Sequence, residues 1–219
     1  MLQLLKKELT LTASPLTYCF LSFSAMTMIP GYPILVGTFF VCLGVFYTFQ
    51  SARESNDILF TVLLPVAKRE VVKAKFAFTV CIQLISVLLV SLLTVLRMTL
   101  LSNISVYTDN PMMNANVAYL GYVFIIHALF LLFFLIGFFK TSYYIAKPFI
   151  HYCIGAFGVV MVGETLHHFP GLNSLNAQSG LEIGLQWIVL ALGIVVYGMI
   201  LYFSYHKSVR QFEKLDLTF

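Results

Sequence analysis

The sequence predicts an all-α polytopic membrane protein with six transmembrane helices and both termini in the cytoplasm (N-in/C-in). Three observations carry that reading: a composition better suited to lipid than to water, six apolar runs of crossing length, and basic residues confined to one side. Of 219 residues, 60% are hydrophobic and 10% charged, against about 45–50% apolar and about a quarter charged in soluble domains. Mean hydropathy is +0.92. With 13 basic and 9 acidic side chains, a soluble surface cannot be covered. Composition therefore argues against a soluble enzyme, a nucleic-acid binder and a disordered linker.

A crossing helix needs about 20 mostly apolar residues. The runs that qualify are 15–29, 34–50, 76–101, 118–139, 148–167 and 183–205. The first is short, and Pro30-Gly31-Tyr32-Pro33 separates it from the second by a turn only. That punctuation predicts a tight helical hairpin, with a re-entrant element as the alternative. Placing the N-terminus inside gathers 12 of the 13 Lys and Arg residues on the inner side and leaves Arg97, as basic residues concentrate in cytoplasmic loops. Arg97 lies late in the third run, where its stem can snorkel to the outer surface as an interfacial anchor. Substrate recognition is its functional alternative.

Ahead of the first run, Leu2, Leu5 and Leu9 share a face beside Lys6, which predicts an interfacial helix over 1–12. No small-residue cleavage site follows the first run, so a cleavable signal is not expected. Cys19, Cys42, Cys81 and Cys153 fall inside runs without a C-x-x-C and read as small buried hydrophobes. The chain lacks G-x-x-x-x-G-K-[ST], G-x-S-x-G and H-E-x-x-H, so neither an ATP cradle nor the common hydrolytic sites are expected in it. Glu164 and His167 share a helical face at the outer end of the fifth run, where a metal site would need further ligands and polar residues meeting water and head groups would look the same. His127 and His151, with Arg97, are the candidate residues of a polar substrate path. Histidines that simply face neighbouring helices would look the same.

The segment 53–75 holds the remaining signal. Its apolar stretch Ile58–Leu64 is too short to cross. Ser55, Asn56 and Asp57 can each cap a helix N-terminus, and Pro65 ends that helix and suits the first turn of the next. The expectation is a short amphipathic helix over 54–64 at the inner surface, then a basic lead into the third run.

Glu54-Ser55-Asn56-Asp57, Leu63-Leu64-Pro65-Val66-Ala67-Lys68-Arg69-Glu70 and Lys75-Phe76, with the opening Leu-Leu-Lys-Lys-Glu-Leu, resemble the permease subunits of ABC-2 type transporters. The resemblance implies a single transmembrane permease domain over 1–219, with residues 1–12 as its elbow helix and 54–64 as a coupling helix. It implies a bacterial cytoplasmic membrane, a second permease subunit, identical or not, and a separate cytoplasmic ATPase. ATP and magnesium would sit on that partner, with no cofactor in this chain. Glu54, Asp57, Phe60, Leu64, Lys68 and Arg69 would touch the ATPase, and Pro65 to Lys75 would act as the lever into the third span. Among small members of the family are exporters of phenol-soluble modulins and of bacteriocins in self-protection. With 21 Phe and 12 Tyr, the spans would suit an amphipathic or hydrophobic peptide, although the same aromatics could simply pack helix on helix. The competing classes are a membrane-embedded enzyme acting on lipid or peptide and a non-transporting scaffold or sensor. Gly180 and Gly184 form a G-x-x-x-G packing signal, while the resemblance places the dimer interface along the first, second and fifth spans.

Overall fold

In lipid each backbone polar group has to be satisfied within its own segment, so apolar runs fold as helices. The computed structural model describes residues 2–108, 110–178 and 183–215. Helix α1 (Leu2–Lys7) continues as a π turn (Glu8–Thr12), and α2 (Pro15–Leu21) continues as a 3-10 helix (Ser22–Met28). Then come α3 (Leu35–Glu54), α4 (Asp57–Leu63), α5 (Lys68–Leu100) and the short α6 (Ser105–Thr108). Helix α7 (Val117–Leu129) runs through a π segment (Phe130–Leu135) into α8 (Ile136–Thr141), followed by α9 (Ala146–Leu166) and α10 (Gly184–Glu213). No strand occurs among the described residues.

Among the described residues, five helical stretches are long and apolar enough to cross a membrane: α3, α5, α7 through α8, α9 and α10. The first expected span is different. Its α and 3-10 pieces total 14 residues, about 24 Å of helix, short of the roughly 30 Å hydrocarbon slab. Ser22 Oγ donates to Cys19 O at 2.7 Å and Thr27 Oγ1 to Ser24 O at 2.8 Å; hydroxyls bonded back onto the preceding turn compete with the α ladder. This pair folds antiparallel onto α3, with Thr17 Oγ1 donating to Gly44 O at 2.6 Å and the Ser14 amide to Thr48 Oγ1 at 3.0 Å. A hairpin therefore forms as expected. The turn passes through Gly31 at φ +68°, a left-handed conformation suited to glycine.

Helix α5 is 33 residues long, about 50 Å, and is apolar in reverse. Leu84, Leu88, Leu92 and Val95 face outward, while Lys75, Thr79, Gln83, Ser86, Thr94 and Arg97 are buried. Polar groups in a membrane helix face the bundle interior, and here they cross-link it. Gln83 Nε2 donates to His127 O at 3.1 Å and Tyr197 OH to Gln83 Oε1 at 2.9 Å, tying α5 to α7 and α10. Helices α7 and α10 meet at Gly121 and Gly193: a Cβ on Gly121 would lie 2.5 Å from Val189 O. Small residues let backbones approach this closely where no hydrophobic driving force separates helix from lipid. Gly180 lies outside the described residues, and Gly184 has open space around it.

The aromatics fill the interior. Phe49 meets Phe138 at 4.8 Å and Phe134 at 5.2 Å, and Phe46 stacks on Phe149 at 4.1 Å between ring centroids. These rings join α3 to the α7–α8 stretch and α9, and they pack helix on helix.

Candidate functional site: the charged junction at the basic end

Helices α1, α4 and the start of α5 converge at one end of the bundle. Lys75 Nζ lies 2.9 Å from Glu8 Oε2 and 3.1 Å from Asp57 Oδ2. Lys7 pairs with Asp57 Oδ1, stands 3.8 Å from Glu8 Oε1 and donates to Thr61 Oγ1 at 2.5 Å. Two ammonium groups and two carboxylates thus alternate and neutralise one another. The Lys75 and Glu8 side chains are each 2% exposed. Isolated charges so placed would carry a large desolvation cost, which pairing and hydrogen bonding offset. Burial raises the proton affinity of Asp57, but Lys75 and Lys7 outweigh it and hold the carboxyl below its ordinary value of 3.8.

The turn from α3 into α4 is made by Ser55 and Asn56. Asn56 sits at φ 52°, in the left-handed region that asparagine tolerates better than most residues. The capping expectation fails here: Asn56 occupies the N-cap without a side-chain bond, and Ser55 Oγ donates back to Ser51 O at 2.9 Å. Two boundaries also shift. Glu54 ends α3 instead of opening α4, where it accepts from Gln50 Nε2 at 3.0 Å. Pro65 ends α4 but does not enter the next helix, which starts at Lys68 behind an extended Ala67.

Helix α4 buries Ile58 and Thr61 and turns apolar groups outward: Phe60 is 65% exposed, Leu63 76% and Leu64 53%. Of the expected contact residues, Glu54, Phe60, Leu64 and Arg69 are exposed, while Lys68 is half-buried and donates to Leu215 O at 2.6 Å. Arg69 Nε reaches Tyr205 OH at 3.4 Å. Asp57 faces the junction. Lys7, Glu8 and Lys75 were not among the expected residues, although the pattern marks two of them. Glu8 interrupts the apolar face that Leu5 and Leu9 define, and Lys75 stands four residues from both buried Val71 and buried Thr79.

The candidate path residues do not come together. Arg97 is not a surface anchor. It is fully buried, donates to Thr27 O at 2.7 Å and Asn114 Oδ1 at 3.1 Å, and lies over the Tyr107 ring at 4.4 Å. A loop folded over the helix end gives its guanidinium partners that snorkelling into water would replace. His127 is buried beside Cys42 Sγ at 3.4 Å. His151 is exposed, with Nδ1 2.7 Å from Lys147 O. At the Arg97 end Glu164 Oε2 accepts from the Met113 amide at 2.8 Å.

The chain has no match among curated proteins or solved structures. A family model does match it over residues 3–213, nearly the full length, and its description is ABC-2 family transporter protein. The five apolar helices and this match together make it a multi-pass membrane protein and a transporter component. The chain belongs to the ABC-2 transporter family.

Proposed function

We propose that the chain is the permease subunit of an ATP-driven exporter and that α4 is the helix through which a separate cytoplasmic ATPase acts. The observation that carries this reading is the two-sided character of α4. Its inner side is bolted by Asp57 and Thr61 to Lys7 and Lys75, while Phe60, Leu63 and Leu64 stand exposed outside the spans. A partner pocket that takes Phe60 would gain the buried aromatic anchor on which interfaces depend. Force on α4 would then pass through paired charges into α1 and α5 together. ATP and magnesium belong to the ATPase in this scheme.

Twelve of the 13 Lys and Arg residues support an inside location for the junction end, with both termini in the cytoplasm of a bacterial cell. The α2 hairpin completes a sixth span if the membrane is thin there. Pairing with a second permease subunit is supported by α9, whose Ile150, Ile154 and Met161 face outward. An amphipathic peptide is the cargo class that an apolar pathway between two such faces would suit. A membrane-embedded enzyme is less well supported, because His127, His151 and the Glu164–His167 turn occupy different places in the bundle.

Affinity purification of the tagged chain, co-expressed with a candidate ABC ATPase from the same organism, tests the pairing. The two should elute as one complex, and Phe60→Asp should release the ATPase while the permease keeps its elution volume. A permease that never retains the ATPase contradicts the proposal.

A further inference from the structure

Beyond the junction, the bundle has a second polar feature at the same end. Helix α8 stops at Thr141, Ser142 turns through φ 55°, and the Tyr144 amide donates to Thr141 Oγ1 at 3.1 Å before α9 begins. Gly137 faces Pro148, and a Cβ there would lie 2.6 Å from the proline ring. Beside this contact is a cavity of about 630 Å³, within the usual range for small-molecule sites. Part of its lining is apolar, with Leu132, Phe133 and Ile136. Its rim is basic, with Arg53, Lys140, Lys147 and His151.

No acidic side chain among the described residues lines the cavity. Arg53 has Glu54 at 3.8 Å as a neighbour, whereas Lys140 and Lys147 are exposed at the two helix ends that frame the opening. The His151 ring donates Nδ1–H to Lys147 O, which leaves Nε2 as its second polar atom. Three cationic groups and a histidine above an apolar wall are complementary to a single negative charge carried on a hydrocarbon tail. Basic pockets between membrane helices bind the head groups of anionic lipids in this way.

We infer that this cavity is a binding site for an anionic phospholipid, its phosphate held by Lys140 and Lys147 and its acyl chain laid over Phe133 and Ile136. The site is formed within one protomer and stands whether or not α4 receives an ATPase. Each basic group contributes through charge, so arginine can replace lysine there, while glutamine cannot.

Native mass spectrometry of the full chain, titrated with phosphatidylglycerol or with phosphatidylcholine of identical acyl chains, tests the site. The wild type should bind phosphatidylglycerol roughly tenfold more tightly. Lys140→Gln with Lys147→Gln should abolish that preference, and Lys140→Arg with Lys147→Arg should keep it. Ala146→Trp, which adds bulk to the cavity wall without altering charge, should also weaken phosphatidylglycerol binding; this arm decides the matter if the glutamine pair does not fold. Equal binding of the two lipids by the wild type overturns the proposal, as does a preference that survives both the glutamine pair and Ala146→Trp. Displacement of the lipid by glycerol phosphate alone would show a phosphate site instead of a lipid site. Lysine-dependent binding of an acidic amphipathic peptide, with no preference between the lipids, would assign the cavity to a peptide and likewise overturn it.

Discussion

Lys75 and Glu8 form an ion pair at 2.9 Å with both side chains 2% exposed, joining the first turns of the chain to the long helix α5. Removing one partner leaves the other charged and buried, which costs about 3–5 kcal/mol, whereas an apolar replacement of both is often close to neutral. Lys75→Met should therefore lower thermal stability in detergent sharply, and Lys75→Met with Glu8→Met should recover most of the loss. Glu8→Met alone completes the double-mutant cycle, whose non-additive part reports the coupling of Lys75 to Glu8, while Asp57 keeps Lys7 throughout.

Asp57 makes the junction sensitive to acid. Its native proton affinity is held below the ordinary value of 3.8 by Lys75 and Lys7. A depressed carboxyl stabilises the fold above its unfolded pKa, and the contribution is lost as pH falls through the lower native value. Melting temperature should be flat above about pH 5 and decline below about pH 4. Asp57→Asn should start lower and show a shallower decline. An identical acid profile in the variant would assign the sensitivity elsewhere.

Arg97 should behave as a structural cross-brace. Its guanidinium holds Thr27 O and Asn114 Oδ1 at once, and hydrogen bonds from charged groups contribute about 1.5–3 kcal/mol each. Arg97→Met should destabilise by at least about 2 kcal/mol, measured by chemical unfolding in micelles. Arg97→Lys should restore only part of it, because an ammonium lacks the planar fork.

Gly121 should tolerate no side chain. A Cβ there meets the α10 backbone at Val189 O, 2.5 Å away, so the helices must separate. Gly121→Leu should abolish recovery of folded protein, and Gly121→Ala should cost about 1–3 kcal/mol, the range for overpacking. Gly198, with open space around it, is the control: Gly198→Ala should leave stability unchanged or slightly raised, since alanine is the better helix former.

The long spans were legible because length and hydropathy alone decide them: α5 ends and α10 begins within one residue of the apolar runs, while the start of α5 and the end of α10 extend eight residues beyond them as polar helix. What the runs conceal is direction. Reading α5 as uniformly apolar hides the inward row Lys75, Thr79, Gln83, Ser86, Thr94 and Arg97, which becomes visible only when polar positions are placed on the helix at 3.6 residues per turn. Lys75 and Arg97 are about 33 Å apart along that helix, close to one hydrocarbon thickness. That spacing puts them at the two ends of the apolar run, where Arg97 reads as an interfacial anchor and Lys75 as the last of the basic lead, and neither reading shows that the side chain turns inward. The short helix between α3 and α5 was legible as a helix, with its start displaced because Asn56 adopts a left-handed turn, and α5 starts late because Ala67, not Pro65, takes its N-cap. The role of Asp57 depends on which side of α4 meets α1, and no local pattern supplies that. In the first expected span the serine and threonine hydroxyls tighten the helix, which a hydropathy window does not register.

The coupling role proposed for α4 is tested most directly by ATP hydrolysis of the chain reconstituted in lipid with its proposed ATPase partner. Phe60→Asp with Leu64→Asp alters only the exposed side of α4, so the permease should melt as the wild type does. A lost anchor of at least about 2 kcal/mol corresponds to roughly 30-fold weaker association, and hydrolysis should fall to the level of the free ATPase. Wild-type hydrolysis and transport in that double variant would contradict coupling through α4.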